Sequence, residues 1–531
     1  MTAALADVVD GYLDLRWRLL PVEATHAGLR ELDGRYARYD AQSVREHIAA
    51  LRSYTGVLEE APAESLDDEI DRTAVLHDAR HQLLVLERER PFAFNPAFHL
   101  SQALSGLFLL LVRDERTPAE RATALLSRLG ALPELLRVAR EVLTEPARPL
   151  IALASAMLPG GIALVRDALD APGLDLSSLE PAELARARTE AVDALAEFGV
   201  ALDEMAEDAR DTFAIGRELF DRKLHTAHMI RESADELLRF GERLRADALA
   251  MLERTAAEIA PGKHWRDVIA RLREDVPAPE TVLGEYAEAI RAARDFTVAR
   301  GLMTVPDAAL RVAATPPFLR ALVPVAAYQG PGAFEQRQLG TFFVTLPDAG
   351  RPWRTNSRGE IPGTALHEGV PGHHEQVVVG NALPRIARRV IGTPATREGW
   401  AFYCEGLMLE SGFLAAPAER LFHAQHVLWR ALRVILDVSL HTKGMSVGDA
   451  ARRLRDELGF DAETAAAEAA RYCAYPTYQL CYAVGRREIE RLRDDARRER
   501  GAGFSVAAFH DELLSYGALP AALARWGMGL S

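Results

Sequence analysis

Cysteine is scarce in this chain of 531 residues. Only Cys404, Cys473 and Cys481 occur, with no CxxC spacing, which excludes a disulfide framework and a zinc knuckle. No basic segment followed by an apolar run opens the sequence, so no secretory leader is read there. Long apolar runs are also missing. The stretches Leu104 to Val112 and Leu150 to Val165 read as too short, or too interrupted by Gly and Pro, to span a bilayer. An excess of positive charge is absent: the net charge is -14, a surface that repels phosphate backbones and anionic lipids. Basic pairs such as Arg486-Arg487 and Arg497-Arg498 are interleaved with acids and read as solvated helix faces. These absences predict a cytoplasmic protein with no nucleic-acid and no membrane partner; a monomer or homodimer is expected, though nothing in the composition selects between them.

What is present is helix. Ala, Leu, Arg and Glu dominate, and apolar residues recur three and four apart. Helices are expected over Ser43 to Glu60, Pro181 to Met205 and Asp208 to Glu253. Pro146 to Pro149, Pro159-Gly160-Gly161, Ala260-Pro261-Gly262 and Pro277 to Pro279 read as helix-to-helix turns. No fixed-period repeat occurs. After about Thr304 the texture changes, with Pro306, Pro316, Pro317 and Pro324 interrupting helices. The β-branched and aromatic segment Gly340 to Leu346 is the best strand candidate, closed by a turn at Pro347-Asp348-Ala349-Gly350. An exposed strand there could pair with an extended substrate. Helices resume at about Gly363. The expected fold class is mainly α, one large domain over 1–531, with a helical part at 1–300 and a catalytic part at 301–531 that holds a small sheet beside the active site.

The segment His367-Glu368-Gly369-Val370-Pro371-Gly372-His373-His374 carries the chemistry. A His-Glu pair followed one turn later by His is the zinc-hydrolase arrangement: the imidazoles bind the metal and the Glu acts as general base. The usual i+4 position is Pro371 here. On an unbroken helix His367 and His374 would lie about 10.5 Å apart along the axis. They could not then share one ion held by bonds of about 2.0–2.1 Å. Pro371-Gly372 can break the helix, and a bulge there would carry His373 to the ligand position, with His374 as a neighbour. Glu398, on a second helix, supplies a carboxylate third ligand. Glu405, two turns further along the same face, reads as the partner that orients a ligand histidine.

Two polar stripes support this site. Arg430, Arg433, Asp437 and His441 share one face of an apolar helix over Leu428 to His441. Asp437 could fix the tautomer of His441, which could then donate to a developing oxyanion. Arg430 or Arg433 could hold a substrate carboxylate, or could form an internal salt-bridge ladder. Downstream, Arg471, Tyr475, Tyr478, Tyr482 and Arg486 recur at three- and four-residue steps, and Pro476 divides them into two pieces. Tyr482 first and Tyr475 second are candidates for the oxyanion, with Tyr478 and Arg486 as substrate contacts.

These residues resemble a bacterial family catalogued as domain of unknown function 885, a zincin-like group. The matching pieces are HEGVPGHHEQ at 367–376, EGWAFYCE at 398–405, Asp437 to His441, and ARYCAYPTYQLCYAVG at 470–485, with Pro21 to Gly28 resembling the family's opening. Around Tyr478 the chain departs from the family pattern, in which Gln is more usual. The resemblance implies a helical oligopeptidase- or carboxypeptidase-like fold around a deep cleft. His367, His373 and Glu398 would bind one zinc per chain, and Glu368 would be the base. The expected reaction is hydrolysis of amide bonds in short peptides or small amides. A dedicated small-molecule hydrolase or lyase, and a non-catalytic metal-containing binding protein, are the alternatives.

Overall fold

A computed structural model describes residues 5–113, 115–316, 319–320, 323, 326–347 and 356–530. The protein is mainly α, about 70% helix with one three-stranded sheet. Its contacts divide it into two compact units. The first comprises Met1–Ile215, Pro316–Leu322 and Gly332–Arg337; the second comprises Gly216–Thr315, Val323–Pro331 and Gln338–Ser531.

The first unit is built on leucine-rich helices. Those over Pro96–Val112, Pro118–Val142, Arg148–Asp167 and Pro181–Asp208 bury Leu104, Leu107, Leu125, Leu129, Leu136, Leu164, Leu195 and Phe198 together. The Pro118–Val142 helix starts with a reciprocal cap: Thr117 Oγ1 accepts from Glu120 N, and Thr117 N donates to Glu120. Pro159-Gly160-Gly161 is not the turn its composition suggests, because it lies inside the Arg148–Asp167 helix. Gly161 is where that helix meets Leu104: a Cβ there would come within 3.0 Å of its side chain. Packing overrides local propensity. Among the described residues, one continuous helical stretch, Arg148–Asp170, is therefore long and apolar enough to cross a membrane by length and composition. Its Ile151, Ala154, Leu158, Leu164 and Val165 lie in the core of this unit.

The helix expected over Asp208 to Glu253 is two. Arg217–His228 begins after Gly216 at φ 80° and ends on Met229 at φ 53°, and Ala234–Ile259 begins with Ser233 and Glu236 as a capping box. The Ala234–Ile259 helix packs along the helix over Pro417–Thr442, with Gly241 against Val434 and Ile435.

The sheet of the second unit contains β1 (Ala309–Ala314), β2 (Ala326–Gln329) and β3 (Leu339–Val344). Their order is β1-β3-β2, with β3 parallel to β1 and antiparallel to β2. The strand legible in sequence is therefore the central, buried one, and the edges belong to β1 and β2. Phe342 and Val344 pack on Val282, Tyr286 and Ile290 of the Val282–Ala299 helix and on Ile361 and Ala365 of the Ile361–Glu368 helix. That cluster seats the helix bearing His367 and Glu368. The turn expected at Pro347–Gly350 lies, beyond Pro347, outside the described residues, as do Pro317 and Pro324.

Candidate metal centre

Two short helices carry the motif. The first, Ile361–Glu368, stops at Glu368, and the second, His373–Asn381, starts at His373. The link between them holds a cis Val370–Pro371 bond. Gly372 N donates to Leu366 O, and a Cβ on Gly372 would collide with the carbonyl oxygens of Leu366 and His367. Only glycine fits where the chain folds this tightly onto the end of the first helix. The break is fuller than a bulge within one helix, yet it brings His373 to His367, with ring centroids 4.9 Å apart and planes at 90°.

The Pro394–Glu410 helix supplies the rest and also fixes the link. Trp400 Nε1 donates to Pro371 O at 2.8 Å, and Cys404 Sγ approaches the same oxygen at 3.4 Å. Glu398 Oε2 lies 3.5 Å from His373 Nε2. Ligand atoms of His367, His373 and Glu398 all fall within 4.8 Å of one another. Atoms around one tetrahedral ion at bonds of about 2.0–2.1 Å would stand roughly 3.4 Å apart, so this two-imidazole, one-carboxylate set fits a divalent metal such as zinc. The depth of the helix is set at Gly399 and Gly485. A Cβ at either would strike backbone of the other helix, so the Pro394–Glu410 and Cys481–Arg500 helices touch there main chain to main chain.

Electrostatics favour a deprotonated carboxylate at Glu398. Burial would raise its pKa. The His373 hydrogen bond, the two imidazoles and the Tyr478 hydroxyl outweigh that and hold it down to about 2. Tyr478 Oη donates to Glu398 Oε1 at 2.8 Å, so Tyr478 sits on a candidate ligand and not on open substrate space. Glu405 is buried, with Oε1 2.7 Å from His367 Nδ1, which leaves Nε2 of that ring to face the cluster. Its pKa is lowered as well: burial opposes the charge, but hydrogen bonds from His367, His423 and His426 prevail.

His374 is turned away from the cluster. Its Nδ1 pairs with the hydroxyl of Tyr328 on β2 at 2.9 Å, and Gly340 on β3 leaves room for its ring. The Tyr328 ring also lies nearly parallel to that of His373, at 6.5 Å. Glu368 is half-buried, and its charge is among those raising the pKa of His373 against burial.

The supporting stripes divide. Asp437 does not pair with His441. It accepts the backbone N–H groups of Thr477 at 3.1 Å and Leu480 at 3.2 Å, and so holds the turn between the helices over Ala462–Ala474 and Cys481–Arg500. Thr477 stands at φ 68°, an unusual conformation for a β-branched residue. His441 is fully buried, stacks on Phe220, and lies with Nε2 3.1 Å from Tyr472 O. These contacts tie it to the Arg217–His228 and Ala462–Ala474 helices. Arg433 bonds Tyr472 and Glu468, and Arg486 bonds Glu490. Tyr475 is 40% exposed at the turn, its ring tilted 56° to that of Tyr478 with centroids 6.5 Å apart. Tyr482 lies between Arg430 and Arg433, 5.5 and 4.7 Å from their guanidinium carbons.

Three contributors escaped the sequence reading: Tyr328, and His423 and His426 on the Pro417–Thr442 helix. Both histidines aim Nδ1 at Glu405 Oε2, at 3.2 and 3.5 Å. Extending the Arg430–His441 stripe back by two turns would have found them.

A solved protein from Shewanella oneidensis, described as "a putative lipoprotein of unknown function", superposes with a TM-score of 0.79 at 21% identity, covering 99% of this chain and 100% of that one. Another, from Colwellia psychrerythraea and described as "the putative lipoprotein", gives 0.85 at 19% identity, covering 100% and 99%. At these identities the likeness shows a shared fold. Lipoproteins are anchored to membranes, and these two descriptions overturn the expectation of a cytoplasmic location. No curated protein matches. The sequence profile described as "Bacterial protein of unknown function (DUF885)" matches residues 21–528, and the chain belongs to that family.

Proposed function

We propose that the protein is a metal-dependent, zincin-like hydrolase that cleaves amide bonds in short peptides or small amides. The observation that carries this reading is the convergence of His367, His373 and Glu398 within 4.8 Å, with Glu368 adjoining His367 and uncommitted to coordination. A purely structural ion would have no use for a carboxylate beside its ligands. A divalent ion held there, zinc first among candidates, supplies Lewis acidity toward a carbonyl and lowers the pKa of water.

The chain's own groups divide the remaining work. Glu405 fixes the tautomer and orientation of His367. Glu368 accepts the proton of the attacking water and returns it to the leaving amine. Tyr482, close to Tyr478 with ring centroids 6.4 Å apart, is the candidate donor to the developing oxyanion. The ligand cluster is recessed, with His367 6% exposed, which favours short or extended substrates over folded ones.

The test is a zinc-loaded protein offered a library of N-acylated short peptides, with Glu368→Gln as control. Cleavage by the wild type, with Glu368→Gln retaining metal and losing about a hundredfold or more of the rate, supports the reading. Equal rates in the two proteins would refute it.

A further inference from the structure

Hydrogen-bond donors exceed acceptors on the side of the cluster formed by the Pro417–Thr442 and Cys481–Arg500 helices. Arg430 is buried, yet its Nε and Nη1 have no hydrogen-bond partner. Its Nη2 stands 4.0 Å from Glu405 Oε1, beyond hydrogen-bond reach. Glu405 is meanwhile engaged by His367 and His423. One turn earlier, His426 Nδ1 lies 3.5 Å from the same carboxylate, at Oε2.

Aromatic rings do not account for this. The guanidinium carbon of Arg430 lies 5.1–5.5 Å from the ring centroids of Phe402, Trp429 and Tyr482. Such contacts use the flat faces of the guanidinium. Its N–H groups point outward in the plane and stay unmet. A buried charged donor without an acceptor is costly enough that an occupant is expected. Nearby Arg433 adds positive charge, and its acid Glu468 is shared with Arg471.

We propose that Arg430 forms a subsite for a substrate carboxylate beside the metal cluster, so that the substrate is a peptide or acyl amino acid whose free carboxylate lies close to the amide to be cleaved. A planar carboxylate matches the guanidinium edge with two parallel hydrogen bonds. The unmet Nε and Nη1 of Arg430 call for a compact singly charged acceptor, because Glu405 already stands 4.0 Å from Nη2 and more negative charge would face it. The half-buried Tyr482 ring stands 5.5 Å from the guanidinium carbon. The proposal names the substrate class of the hydrolase described above and rests on that reading.

The probes are acetylated tripeptides with a free C-terminal carboxylate and the same peptides as C-terminal amides. Both are offered to the zinc-loaded protein, with kcat/KM from product analysis. Affinity for acetyl-dialanine and its amide is measured in parallel by calorimetry. The free acids should be preferred about ten- to a hundredfold in both measurements, as expected for a charge-assisted bidentate pair. That preference should fall to within about threefold, near 0.65 kcal/mol, in Arg430→Gln. Arg430→Lys, which keeps the charge without the planar fork, serves if Arg430→Gln does not fold, and should also lose most of the preference. Metal content and circular dichroism establish that each variant is intact. Cleavage of acids and amides at equal rates overturns the subsite and leaves the hydrolase reading standing. Cleavage of neither overturns both.

Discussion

Glu405 Oε1 lies 2.7 Å from His367 Nδ1, deep inside the second unit, and turns the opposite nitrogen of that ring toward His373 and Glu398. A carboxylate behind a ligand histidine fixes its tautomer and strengthens it as a base. Replacing Glu405 with Gln keeps an acceptor and removes the charge. Metal affinity is expected to fall about ten- to a hundredfold, measured by competition with a zinc chelator. Unchanged affinity would mean that His367 is not a ligand.

His373 and His374 adjoin in sequence and part in space. His373 faces Glu398, whereas His374 pairs with Tyr328. Elemental analysis of protein purified without added metal should find about one ion per chain in His374→Ala and almost none in His373→Ala or Glu398→Ala. The reverse pattern for the two histidines would place the ion on the β2 side.

The convergence of His367, His373 and Glu398 was legible because its signals are local: a His-Glu pair, a Pro-Gly break, and two carboxylates two turns apart on one helix. The same two-turn logic led to Glu405. What could not be read depends on distant chain. The Arg430–His441 stripe is real, but which neighbour each residue meets is set by the turn at 475–480, so Asp437 binds backbone there and not His441. β1 and β2 have no strand signal of their own; ALRVAA and AAYQ become strands by pairing with β3. Pro159-Gly160-Gly161 reads as a turn until the Leu104 side chain facing Gly161 is known.

Gly485 tests the close approach of two helices. Its α-carbon faces Ala395 O and Gly399 across the crossing. Gly485→Ala must push the Pro394–Glu410 helix back, at a cost of about 1–3 kcal/mol or more. Because that helix carries both Glu398 and Glu405, metal affinity should fall together with the melting temperature. A variant that lost stability and kept full affinity would show that the crossing does not set the ligand positions.

Asp437 gives a pH dependence independent of the metal. Burial pushes its carboxyl up to about 7, against the pull of backbone N–H groups from Thr477 and Leu480. The folded state therefore holds this proton at pH values where the unfolded chain, with a carboxyl near 3.9, has released it. Binding more protons when folded means that stability falls as pH rises from about 4 to about 7, then levels off. The loss is bounded at about 4 kcal/mol by the size of the shift. Asp437→Asn, which cannot ionise, should flatten the profile between pH 5 and 8 in urea unfolding monitored by circular dichroism. At pH 8 it should match or exceed wild type, unless the lost second acceptor for Leu480 N weighs more. At pH 5 it should be no more stable. Parallel profiles for the two proteins would show that Asp437 stays charged in the fold, held by the N–H groups of the turn that places Tyr478 on Glu398.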